Sequence, residues 1–293
     1  MLTYTPCTLC PRACGVDRTV SRGFCGCGDV AHVARAGLHF GEEPPVSGRR
    51  GSGTVFFCGC TLRCPFCQNH RISRDGDAGR PVSAAELADL MLALQDREAH
   101  NINLVTATHY LPTVIAALDL ARPQLRIPIL YNCGGYESPD TVRALADYVD
   151  VWLPDLKYGT AEAALACGAP ADYPDVALAA IAQMAAQAGP PAFADDGTVT
   201  RGVIVRHLVL PGGRRDSVTA LERLAETVDP AAIRLSLMRQ YTPPAALHLA
   251  PPLGRTVTTF EYDTVRRAAA PFDGYAQSAD SVGEQFVPEW DWV

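Results

Sequence analysis

Three cysteines stand at close, uneven spacing in the first quarter of the chain: Cys60-Thr-Leu-Arg-Cys64-Pro-Phe-Cys67. They follow directly on the run Gly53-Thr-Val-Phe-Phe-Cys-Gly, whose β-branched and aromatic residues predict a buried strand. A loop leaving a strand with thiolates at x3 and x2 spacing can wrap three irons of a cubane. A [4Fe–4S] cluster usually takes four cysteines, so a trio leaves one iron open. An open coordination position is what separates catalytic metal sites from closed structural ones. The competing readings are a zinc knuckle, with His70 or Cys58 as fourth ligand, and three unrelated core cysteines. Cys58 itself reads as a small core residue, since free cysteine is commonly buried.

A second group lies upstream. Cys7-x2-Cys10-x3-Cys14-x10-Cys25, with Cys27 close behind, supplies four or five thiolates in a segment full of turn residues (CPRACG, GFCGCGD). Too few apolar residues occur there for an independent core, so a metal is the expected staple. Four thiolates close a metal completely, which makes such a site structural or electron-transferring. Tetrahedral zinc and a second [4Fe–4S] cluster are both compatible with it. The x2-then-x3 spacing suits a cubane slightly better than a ribbon of two CxxC knuckles. Gly23 and Gly26 flank Cys25 and favour it over Cys27 as fourth ligand, because they let the chain turn around it. Five free thiols on a flexible arm are the bland alternative, and they would be oxidation-prone.

From Gly53 onward, apolar runs alternate with helical patterns. Strands are expected at Thr54–Gly59, Ile102–Thr106, Ile127–Asn132, Val149–Pro154, Gly202–Leu210 and Ile233–Met238. Helices are expected at Ala84–Arg97, Thr113–Leu120, Pro139–Ala146, Pro174–Gln187 and Val218–Thr227. Ser83 and Glu86 form a capping-box pair, and Asp216 or Ser217 is the expected cap of the last helix. This alternation is the pattern of an α/β fold with a parallel sheet, and the continuous apolar strands imply that both sheet faces are covered. Polar residues sit where the runs stop, at Thr108-His109, Asn132, Asp155-Lys157, Arg214-Arg215 and Gln240-Tyr241, where ligands bind in α/β sheets.

Composition sets the limits. A chain of 293 residues accommodates one barrel-sized domain with a small appendage, and 48% hydrophobic with 19% charged residues excludes a disordered or fibrous protein. The net charge of −7 argues against a broad nucleic-acid footprint, which needs a Lys/Arg surface. No apolar stretch is long enough to span a bilayer. The N-terminus has neither a basic nor an apolar signal region, so a cytoplasmic location is expected. In that reducing compartment eleven cysteines, an odd number, read as metal ligands rather than disulfides.

The segment Cys60-x3-Cys64-x-Phe66-Cys67 resembles the signature of the radical S-adenosylmethionine (SAM) superfamily. The resemblance implies that Cys60, Cys64 and Cys67 hold a [4Fe–4S] cluster whose free iron chelates SAM. It implies reductive cleavage to methionine and a 5′-deoxyadenosyl radical, with Phe66 against the adenine. Pro154-Asp155-Leu156-Lys157 is similar to the strand end of pyruvate formate-lyase activating enzymes, where the Asp and Lys contact SAM, and Val205–Gly212 is similar to their fifth-strand segment. The whole chain resembles an uncharacterised subgroup related to these enzymes. Two departures stand out. Thr106-Ala-Thr108-His109 replaces the Gly-Gly-Glu that commonly holds the SAM amino group, with Thr106, Thr108 or backbone carbonyls as its candidates. Met238-Arg239-Gln240 offers no histidine at the sixth strand. Asn132-Cys-Gly-Gly135 reads as a turn, or as a place where the SAM ribose meets the backbone; His109 and His207 read as core histidines.

The expected architecture is a partial (β/α)6 radical SAM barrel at residues 51–245, preceded by a cysteine-rich metal-binding lobe at 1–50 and followed by an extension at 246–293. The expected activity is hydrogen abstraction from a substrate, a glycyl residue of a partner protein being one that the resemblance implies. It would be driven by a reductant such as flavodoxin or ferredoxin. The alternative is a non-enzymatic iron–sulfur protein that transfers electrons or senses redox state.

Overall fold

The computed structural model of the chain describes residues 2–283, 285, 286 and 290. Among these residues ten strands run in chain order: β1 Ala31–His39, β2 Ser52–Phe57, β3 Arg80–Val82, β4 Ile102–Val105, β5 Ile129–Cys133, β6 Val151–Pro154, β7 Ala192–Phe193, β8 Val199–Leu208, β9 Arg234–Met238 and β10 Gly274–Ala276. The helices are α1 Pro44–Ser47, α2 His70–Ser73, α3 Ala84–Asp96, α4 Leu111–Ala121, α5 Pro139–Ala144, α6 Ala161–Ala166, α7 Tyr173–Ala188, α8 Arg214–Thr227 and α9 Thr259–Ala268.

The strands form one mixed, mostly parallel sheet in the order β10-β9-β8-β6-β5-β4-β2-β1-β3, with β7 paired to β8. From β2 to β10 every neighbouring pair on this path is parallel, and each new strand is added at the same edge. All six strands anticipated from the apolar runs are present, several with shifted ends. The first begins two residues earlier and stops at Phe57, so Cys58 lies beyond it. Its six residues are all buried, as continuous apolar runs require when both faces are covered.

The sheet extends past both expected domain boundaries. β1, from the first 50 residues, pairs antiparallel with β2 over Val33–His39, and β10, from the C-terminal extension, pairs parallel with β9. The antiparallel β1 and β3 make one margin of the sheet mixed. Among the described residues no helix is long and apolar enough to cross a membrane.

The Ser83–Glu86 capping box is formed at the start of α3. The cap expected at Asp216 or Ser217 is not: α8 starts at Arg214, with Gly213 at the cap position and no side-chain cap. Asp216 is committed elsewhere. Its carboxylate accepts hydrogen bonds from the Gly159 backbone N–H at 3.1 Å and from the Thr160 hydroxyl at 2.7 Å, tying the loop after β6 to α8. A long-range acceptor role thus displaces a local one. A second capping box, Thr258 with Glu261, starts α9.

Candidate active site

Each parallel strand delivers its last residues to one cavity of about 600 Å³, lined by Phe57, Thr106, Asn132, Asp155, Arg206 and Met238 among others. It therefore opens at the carboxyl ends of the strands, as expected for an α/β sheet. Its size is that of a small-molecule site. Cys60, Cys64 and Cys67, in the loop between β2 and α2, all line this cavity, as do Phe66, Asp155 and Lys157. Cys7, Cys10, Cys14 and Cys25 do not, nor do Cys58 and His70, the two candidates for a fourth ligand.

The cluster loop leaves the sheet through Gly59, at φ +80°. A Cβ there would fall 2.1 Å from the Cys27 sulfur, so both conformation and space demand glycine. Burial raises the pKa of Cys60 and pushes the Cys64 thiol up to about 12. Such thiols stay protonated until a metal takes the proton's place. Phe66 is buried and meets Tyr241 edge-on, ring centroids 5.8 Å apart. Among the described residues, no three Cys, His, Asp or Glu side chains converge as the ligands of a single metal ion would.

In the same cavity, Lys157 forms an ion pair with Asp155. Burial acts to lower the Lys157 pKa, but the Asp155 carboxylate and the neighbouring Cys64 outweigh it and hold the ammonium charged. The β6–β8 ladder is registered at Val151–Gly202 and Trp152–Val203 and closes again in a single bridge, Asp155–Arg206. Both residues line the cavity. Gly135, at φ +80°, approaches the Asp155 backbone so closely that a Cβ would lie 2.0 Å from its carbonyl oxygen. Thr106 also lines the cavity, with φ at +59°, an uncommon conformation for a β-branched residue. Thr108 points away, donating at 2.6 Å to Glu137. Of the two threonines at the Gly-Gly-Glu position, only Thr106 faces the cavity.

The structure also adds residues that the sequence did not single out. Arg206 is buried against Glu42 and Glu43, donating from Nε to Glu43 at 2.8 Å and from Nη2 to both carboxylates. All three line the cavity. Arg206 and Glu43 are 163 positions apart, and no local pattern signals such a pairing. Glu137 is buried with Tyr131 and Thr108, and burial pushes its carboxyl up to about 8. His109 and His207 are core side chains, donating to the carbonyls of Cys58 at 2.7 Å and Leu156 at 2.6 Å. Burial lowers the pKa of both, His109 to about 3.

The donor set fits an open iron–sulfur cluster with a charged organic ligand beside it. Three thiols face the cavity, a cation and an anion line it beside them, and the buried Asn69 Oδ1 on its wall lacks a hydrogen-bond partner. Together with the mostly parallel α/β sheet, these features define an iron–sulfur enzyme of the kind that works through a bound organic cofactor. Residues 54–229 match the Radical SAM superfamily, and the chain belongs to it. It is accordingly a radical SAM enzyme in the general sense, and the family's cofactors are a [4Fe–4S] cluster and SAM. The chain is also 28% identical over 275 residues to an uncharacterized protein of Methanocaldococcus jannaschii, covering 90% of this chain and 73% of that one.

Proposed function

We propose that this protein cleaves SAM reductively at a [4Fe–4S] cluster held by Cys60, Cys64 and Cys67 and then removes a hydrogen atom from a substrate, in the manner of the activating enzymes. The observation that carries the reading is the meeting, in one cavity, of those three thiols with the Asp155–Lys157 pair. When bound, the reduced cluster supplies the electron that converts SAM to methionine and a 5′-deoxyadenosyl radical. The chain's own residues bind, orient and shield. Phe66 offers its face to the adenine. Asp155 and Lys157 bind polar groups of the SAM, and the peptide around Thr106 takes the place of Gly-Gly-Glu at its amino group. The cavity walls keep water and stray hydrogen donors from the radical. The steady addition of parallel strands at one edge, β2 through β9, supports a partial (β/α)6 barrel as the scaffold.

For the substrate, the resemblance of Pro154–Lys157 and Val205–Gly212 to the activating enzymes supports a glycyl Cα of a partner protein, with flavodoxin or ferredoxin as reductant. The test is anaerobic reconstitution followed by assay of 5′-deoxyadenosine under dithionite, with and without cell extract. Cleavage that extract stimulates, accompanied by a glycyl radical signal, is the expected result. A stable cluster with no SAM binding would instead mark a protein that only carries or senses electrons.

A further inference from the structure

Cys7, Cys10, Cys14 and Cys25 stand outside the cavity, and four observations give them a function. First, they neighbour one another in pairs. The sulfurs of Cys14 and Cys25 lie 3.5 and 3.4 Å from where a Gly23 side chain would begin, and Cys10 is close enough to Cys7 and Cys25 to feel their charges. Second, Cys27 lies beside the Cys25 thiol but deeper, wholly buried against the sheet. Its thiol faces the carbonyls of Cys25 and Cys58 at 3.5 Å and packs onto Gly59, which leaves Cys25 as the fourth thiolate. Third, Arg18 is only 1% exposed and has no carboxylate ion pair among the described residues. Its guanidinium donates to the neutral carbonyls of Cys27, Gly28 and His109, and its Nη1 lies 4.0 Å from the Cys7 sulfur. A buried cation without a counter-charge is costly, and a cubane closed by four thiolates supplies that charge. Fourth, the Cys60 N–H points to the Cys25 carbonyl at 3.4 Å, and Arg12 Nε donates to the Thr61 carbonyl. The two cysteine groups are therefore joined through one backbone hydrogen bond.

We propose that Cys7, Cys10, Cys14 and Cys25 hold a second [4Fe–4S] cluster, with Arg18 as its buried counter-ion, and that this cluster relays electrons to the one at Cys60, Cys64 and Cys67. The relay rests on the function proposed above. One electron leaves a low-potential carrier such as reduced flavodoxin or ferredoxin, oxidising that carrier by one electron. It enters near Cys14, the exposed ligand, and passes to the SAM-binding cluster with no bond made or broken. Closed coordination suits electron transfer, because no iron is left for a ligand to occupy.

The test begins with the full-length C60A/C64A/C67A variant, reconstituted anaerobically and checked for folding by circular dichroism. The expected result is about four irons and four acid-labile sulfides per chain. Zinc without sulfide, or no metal, overturns the proposal. Cys14→Ser in the otherwise native chain gives an independent count: it should remove about half of the iron, and an unchanged count is equally fatal. Cys27→Ser should keep the full complement. Arg18→Gln should move the midpoint potential of this cluster to more negative values, with Arg18→Lys restoring part of the shift; an unmoved potential removes Arg18 from the assignment. For the relay, Cys14→Ser should lose at least tenfold of the SAM cleavage driven by reduced flavodoxin while keeping the dithionite-driven rate. Equal loss with both reductants would make the site a staple. An iron-free triple variant of a SAM-cleaving wild type defeats only this inference, and two clusters without SAM cleavage defeat only the function above.

Discussion

Two cysteine-bearing segments, Cys7–Cys25 and Cys60–Cys67, lie against each other and are built differently. The downstream trio sits in a loop hung from the end of a fully buried strand, facing a cavity of about 600 Å³. The upstream group is held by turns: the Cys7 N–H bonds the Val16 carbonyl at 2.9 Å, the Gly15 N–H bonds that of Cys7 at 3.0 Å, and the Ala13 N–H bonds that of Cys10 at 2.9 Å. A site that must admit a ligand needs a rigid wall on one side and space on the other, which the sheet and its strand ends provide. A site that only holds charge can be wrapped by coil. The difference in backbone support therefore follows the difference between an open and a closed metal.

The sharpest way to break that comparison is to remove the open site. Cys60→Ala, Cys64→Ala and Cys67→Ala should each reduce 5′-deoxyadenosine formation to background, because two thiolates cannot retain a cubane with one open iron, while the sheet still folds. Full activity in any one of the three would remove the assignment. Next comes the charged pair beside it. Asp155→Asn leaves Lys157 without its counter-charge and should weaken SAM binding about ten- to a hundredfold, with the iron–sulfur absorbance near wild type. Loss of the cluster with unchanged SAM affinity would show that Asp155 belongs to the iron site instead.

The seam between the segments is the third target. Gly59→Ala puts a methyl group where the Cys27 sulfur lies and forces a side chain into φ +80°. It should cost about 2 kcal/mol or more, read as a lowered denaturation midpoint; a stability equal to wild type would mean that the two segments are not packed there. The last target is Glu137, whose carboxylate would bear on Cys10 in one group and on Cys133 at the cavity. Its carboxyl is pushed up to about 8 in the folded chain, against an ordinary glutamate value of 4.5. Over that window the folded state keeps a proton that the unfolded state has lost. Glu137's contribution to stability is therefore full below the unfolded value and declines as pH rises through about 8. Thermal denaturation from pH 5 to pH 9 should show this decline, on the order of a few kcal/mol, and Glu137→Gln should flatten it. An identical slope in the variant would place the titration elsewhere.

Much of the fold was legible because its signals are local. The Val151–Pro154 strand and α7 are apolar runs of the right length and period, and the Ser83–Glu86 box needs only three residues of separation. β1 escaped because Ala-His-Val-Ala-Arg-Ala-Gly-Leu-His lacks clean alternation and becomes a strand through pairing with β2 and β3. α9 carried a readable signal, the Thr258–Glu261 box, amid a proline-rich stretch that read as a wrap.

By itself, the sequence determined which residues can do chemistry. The Cys60-x3-Cys64-x2-Cys67 spacing, the strand before it and the Asp155-Leu156-Lys157 strand end are contiguous, and short-range geometry follows from chain connectivity. Only the tertiary structure decided which of these residues meet. It brought Arg206 to Glu42 and Glu43, turned Thr106 toward the cavity and Thr108 toward Glu137, pointed the Cys60 N–H at the Cys25 carbonyl and buried Arg18 beside Cys7. Those contacts join elements far apart in sequence, and their partners are chosen by the packing of the sheet and its loops, which no local pattern encodes.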